Sequence, residues 1–185
     1  MGQSVGPFVT GLASAAGRHS HPVPRCAGRP DRSEVGWYNP GMGVTYDYFR
    51  AGDDEAASRA LDSPRDSSMA DFDAVPAKWI DPAVVLGKLV ALIRDEPWNV
   101  DLVPLGLCGD GVATEERLVC GLGQDLRDTL AGVDDNRTSE LACGWAAVEE
   151  LATLPDPVGN LVVDLIGLAR RARAARDHLY VLMSL

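Results

Sequence analysis

The sequence has no run approaching the roughly 18 to 20 consecutive apolar residues that a membrane span needs, and even the stretch 83–93 is broken by Gly87 and Lys88. Membrane association is therefore not expected, and the chain reads as soluble. A secretory signal is missing too. The opening Met1-Gly2-Gln3-Ser4 carries no basic side chain, and Thr10 and Gly11 interrupt the weakly apolar stretch before Ala13-Ser14-Ala15. Gly6 stands where N-myristoylation requires Ser or Thr. A cytoplasmic setting is expected. Cysteine is scarce and scattered: Cys26, Cys108, Cys120 and Cys143 form no Cys-x-x-Cys, which excludes a zinc ribbon or a redox pair and leaves reduced core thiols. Lysine is almost absent, two residues against fifteen arginines, a ratio that fits coding bias better than chemical adaptation.

What remains is enough for a core. With 46% hydrophobic and 24% charged residues among 185, one globular domain is expected. Residues 1–41 differ from the rest. They hold seven Gly, five Pro and two of the three histidines, with no helical or strand period, and too little apolar surface to offset the entropy of ordering them. They read as a disordered or extended leader, with Met42 as the natural start. From residue 42 onward, 25 acidic residues against 13 basic ones leave a net charge of −12, and periodic apolar patterns begin at once. Residues 42–185 are expected to form a single acidic domain.

Its predicted class is α+β, mostly helical, with a small sheet formed by strands at 44–50 and 179–185. In the first, Val44, Tyr46 and Tyr48 alternate with Thr45, Asp47 and Phe49. The second, Leu179 to Leu185, is apolar enough to need shelter, and pairing with the first provides it. Three carboxylates, Asp53, Asp54 and Glu55, suit the positive end of a short helix over 53–61 that 64–68 would end. Asp81-Pro82 caps a helix over 82–94 in which Val85, Leu86, Leu89, Val90, Leu92 and Ile93 face inward, while Val84, Gly87 and Lys88 do not. After a Pro- and Gly-rich connection, 97–111, come a short strand at 117–122 and a short helix at 124–130. Leu141, Trp145, Val148 and Ala152 form one inward stripe of a further helix. The last helix, 158–176, turns Leu161, Val162, Leu165, Leu168, Ala169 and Ala172 inward and Asn160, Asp164 and Arg171 outward.

Motifs of chemistry fail one after another. Gly121-Leu122-Gly123 lies between a strand and a helix as in a dinucleotide-binding turn, but Leu126 occupies the third glycine position. Asp134-Asp135-Asn136 begins like a calcium loop, yet Ser139 and Trp145 stand where Gly and Glu are required. His19, His21 and Cys26 lack a fourth ligand. Arg170, Arg171, Arg173 and Arg176 surround their helix instead of forming a phosphate-tracking stripe, so helix-end capping explains them and no nucleic acid is expected. No metal and no cofactor follow from these residues. Paired carboxylates such as Asp71 and Asp73, or Glu149 and Glu150, read as solvated surface.

The segments Met42-Gly43-Val44-Thr45-Tyr46-Asp47-Tyr48-Phe49-Arg50-Ala51, Ile80-Asp81-Pro82-Ala83-Val84-Val85-Leu86-Gly87 and His178-Leu179-Tyr180 together resemble an uncharacterised family of small actinobacterial proteins. The resemblance covers residues 42–185. It implies Met42 as the start and a cytoplasmic location, and carries no functional residue with it.

Two functions of different class are open. The first is a non-enzymatic acidic interaction domain, of the immunity or antitoxin kind, whose negative surface meets a basic protein partner. The second is a small enzyme built where the terminal strands meet, using His178 with Asp47, Tyr48 or Tyr180. It requires a cleft beside His178 and the strand 46–50.

Overall fold

A computed structural model describes residues 43–62, 69–108, 113–114, 116–152 and 158–185. The leader, Met42 and the trio His19, His21 and Cys26 lie outside the described residues, as does the helix stop at 64–68. The fold is α+β. A six-stranded antiparallel sheet carries helices on both faces.

The strands are β1 Thr45–Ala51, β2 Ala74–Pro76, β3 Leu105–Leu107, β4 Ala113–Thr114, β5 Arg117–Leu122 and β6 His178–Ser184. Their order is β2-β1-β6-β5-β3, with β4 also on β5. The terminal strands pair as expected, Tyr48 opposite Val181 and Phe49 opposite Tyr180. The sheet is larger than those two strands. β5 covers the second side of β6, so the apolar Leu179–Leu182 stretch sits in the middle of the sheet. β2, β3 and β4 were not anticipated, since two or three residues are too few to show a period of two.

Side chains opposite one another in antiparallel strands share a face, which sorts the core into two layers. On one face Tyr48, Val75, Cys120, Leu122, Leu179 and Val181 pack under the larger helical layer. This layer contains α2 Gly87–Arg94, α3 Gln124–Ala131, α4 Thr138–Ala146, α5 Glu149–Ala152 and α6 Gly159–Ala175. On the other face Phe49, Val119, Tyr180 and Leu182 meet α1 Asp54–Ser58 and the 3₁₀ turn that follows it. Phe49 stacks on Tyr180 at 5.6 Å and meets Phe72 edge-on at 5.0 Å.

Asp81 caps as the sequence predicts, its Oδ1 accepting from the Ala83 and Val84 amides at 2.9 and 2.8 Å. The helix it opens begins with a π turn, Pro82–Leu86, before continuing as α2. The Val85 carbonyl in that turn accepts the indole N–H of Trp145 at 2.8 Å, which satisfies the polar atom of a fully buried tryptophan. Val85, Leu86, Leu89 and Val90 are buried as the wheel predicts. Leu92 is not, and Gly87 is buried instead of facing solvent, because Trp98 lies over it. The stripe through Ala152 also fails: the chain breaks between α4 and α5, which resets the helical phase and buries Leu151 while exposing Ala152. In α6, Val162, Leu165, Leu168, Ala169 and Ala172 turn inward as expected.

Candidate functional site

Of the residues proposed for an enzyme, His178 and Tyr180 come together, while Asp47 and Tyr48 stand apart from His178. His178 pairs with Ala51, whereas Asp47 pairs with Leu182 four positions along β6, a separation of about 13 Å at the rise of an extended strand. Tyr48 is on the opposite face of the sheet from His178, Tyr180 and Asp47. Its hydroxyl donates to the Ile80 carbonyl at 2.6 Å. Tyr180 donates to Asp54 Oδ1 at 2.9 Å. Burial first, and then the charge of Asp81, push the Tyr48 phenol well above its ordinary value; burial and the bond to Asp54 do the same to Tyr180. Both are poor proton donors or acceptors near neutrality. The Asp47 carboxyl is raised by burial, opposed by the charge of Arg117. His178 is half-buried and its ring meets that of Tyr180 edge-on at 6.4 Å. The two surface clefts described below are lined by none of these four residues.

The thiols divide as well. Cys108 and Cys120 are free and buried, and burial with the nearby Asp54 carboxylate lifts the Cys108 thiol to about 11, far from a reactive thiolate. Cys143, on the half-exposed side of α4, is disulfide-bonded, which corrects the expectation that all four cysteines are reduced core thiols. A buried position protects a thiol from oxidation, and Cys143 does not have one.

Three of the four arginines, Arg170, Arg171 and Arg173, act across elements instead of capping their own helix. Arg173 and Arg170 donate to the Ala131 and Val133 carbonyls at the end of α3, at 3.3 and 2.6 Å, and Arg170 also holds Asp135. Arg171 grips Asp73 through two bonds of 2.7 Å, and Asp73 in turn holds Arg50, whose other end reaches Asp177. The bonds from Arg171 and Arg50 pull the Asp73 carboxyl down to about 2. This chain ties α6 to β1, and it borders a cleft of about 390 Å³ between β2 and α6. Arg176 is the exception, with left-handed backbone (φ 62°) at the end of α6.

A second cleft, of about 580 Å³, lies beyond the end of α2, against α5. Its apolar wall is Leu92, Pro97, Trp98 and Val148, and Asp95, Glu96 and Glu149 bring carboxylates to it. Trp98 is held in place yet 41% exposed. Its indole N–H donates to the Ala83 carbonyl at 3.2 Å, and its edge lies so close to Gly87 that a Cβ there would stand 2.9 Å from Nε1. Lys88 projects its ammonium over the indole at 5.6 Å from the ring centroid, held by both oxygens of Glu150 at 2.5 Å. No protein-family model, curated protein or solved structure matches the chain. Sequence reasoning passed over Trp98, although a tryptophan just after Asp95-Glu96-Pro97, opposite a glycine inside a helix, was a signal it could have used. Among the described residues no group of three or more His, Cys, Asp or Glu is placed to hold a metal ion, and no helix is long and apolar enough to cross a membrane.

Proposed function

We propose that the domain is a non-enzymatic binding module for a basic protein partner, of the immunity or antitoxin kind. The observation that carries this reading is how the cations are used. Arg50, Lys88, Arg94, Arg127, Arg170 and Arg171 each hold a carboxylate of the same chain, and Arg117, Arg137 and Arg173 each donate to a backbone carbonyl. Nine basic side chains are thus engaged in internal contacts, and the surplus of acids, 27 against 17 bases in the whole sequence, gives the outward field its negative sign. Such a field steers a basic protein into encounter and repels a polyanion.

The test is affinity capture on the immobilised full chain at two salt concentrations. One basic protein retained in stoichiometric amount at about 0.15 M salt and released near 1 M supports the reading, because exposed charges are screened over that range. A mixture of basic proteins in trace amounts, all washed off at the lower salt, overturns it.

A further inference from the structure

We infer that the cleft between α2 and α5 is the anchor pocket for an arginine side chain of the basic partner, an assignment that rests on the proposed function and gives it a location. Trp98 supplies the first argument. Glycine inside a helix is unfavourable by roughly 0.5 to 1 kcal/mol relative to alanine, and α2 begins with one whose Cβ would collide with Trp98. The chain accepts a weaker helix to seat a tryptophan that ends up 41% exposed. Core packing does not account for that arrangement. A fixed, half-exposed indole is what an interface uses as an anchor, since it offers large contact area with little left to order.

The ring also already hosts a cation. Lys88 stands over it at 5.6 Å, within the range of a cation–π contact. Because both oxygens of Glu150 neutralise Lys88, its charge is not left to repel a visitor.

Charge complementarity adds to this. Asp95, Glu96 and Glu149 line the cleft, and the nearby Arg94 meets Glu96 only at 3.6 Å while its other nitrogen bonds Asp125. The lining is thus an indole and aliphatic wall with carboxylates in excess, open to solvent on one side. A guanidinium fits both halves: its plane stacks on an aromatic ring, and its edge forks onto carboxylates. An ammonium meets a ring and a carboxylate too, but as a point charge without the planar stack and the fork. The aliphatic stem of the arginine would lie along Leu92 and Val148.

The test is calorimetric titration of the full chain with a short oligo-arginine peptide and with its oligo-lysine counterpart. Wild-type protein should bind the arginine peptide several-fold more tightly. Trp98→Ala should weaken that binding about tenfold, the scale of a desolvated cation–π contact. The double variant Asp95→Asn/Glu149→Gln should weaken it at least as much; both side chains are exposed, so the fold is not at risk. The charge-matched control Glu55→Gln/Asp71→Asn, outside the lining of the cleft, should stay within about twofold, since only a distant part of the field is lost. Equal weakening by both double variants, with Trp98→Ala silent, overturns the pocket and leaves the general acidic reading standing. Equal affinity for the two peptides overturns the choice of arginine. No binding of either peptide by wild-type protein removes the broader reading as well.

Discussion

At the scale of single residues, Asp73 bears on stability and Gly87 on binding. Asp73 is held by Arg171 and Arg50, and its carboxyl is depressed to about 2. A depressed carboxyl contributes stability that is fully present above its unfolded value, near 3.9, and is lost as pH falls toward the folded one. Asp73→Asn should therefore be less stable than wild type at neutral pH, with the difference shrinking between about pH 4 and pH 2. Urea unfolding at several pH values measures this, and a difference that stays constant through that window would show that Asp73 contributes through packing, not charge. Gly87→Ala pits two effects of similar size against each other. Helix propensity favours alanine by roughly 0.5 to 1 kcal/mol; displacing Trp98 forfeits a hydrogen bond of about 0.5 to 1.5 kcal/mol. Stability should hardly change, while the indole N–H resonance of Trp98 shifts and arginine-peptide binding falls. An unmoved resonance with full binding would mean that Gly87 has no part in seating Trp98.

At the scale of elements, the strongest periodic segments were legible, as were the short strand at 117–122 and the short helix at 124–130, while the strands of two or three residues were not. The terminal strands announced themselves through alternating aromatic residues and an apolar end, and the 82–94 and 158–176 helices through their wheels. The helical patterns were strong because each helix buries one face in the larger layer, and the strand patterns because the sheet is covered on both faces. The edge strands β2 and β3 were illegible because three residues carry no periodicity, and pairing with a neighbour decides them. The break between α4 and α5 was missed for a related reason: a wheel assumes continuous phase, and Ala147 interrupts it. For the site, a cleft has no period at all. Trp98, Asp95 and Glu149 meet only after α2 and α5 have packed, while the sequence pointed to His178 and the strand 46–50, which do pair but leave Asp47 four positions along β6 from His178 and Tyr48 on the other face. Leu89→Ala and Leu165→Ala should each cost roughly 2 to 5 kcal/mol, since both side chains are buried in the larger layer. Leu151→Ala should fall in the same range, while Ala152→Lys should stay within about 0.5 kcal/mol, as substitutions on an exposed face do. A reversed order at 151 and 152 would restore a continuous helix through α4 and α5.

At the scale of the whole molecule, the surplus of carboxylates sets up a competition that salt resolves. Added salt screens exposed like charges, which relieves self-repulsion, and it also screens ion pairs, which weakens them. The pairs of Arg50 and Arg171 with Asp73 and Asp177 are partly shielded, the Asp177 side chain only 19% exposed, so screening reaches them less than it reaches the surplus acids. Relief of repulsion should win. Raising sodium chloride from about 0.02 M to about 0.2 M, where the screening length falls below 10 Å, should raise Tm. A gain near 1 kcal/mol would appear as about 2 to 4 °C in a chain of this length. Chloride is the right anion for the measurement, because sulfate stabilises folded proteins by exclusion from the surface and would mimic the effect. A fall in Tm over the same range would mean that the ion pairs outweigh the surplus acids.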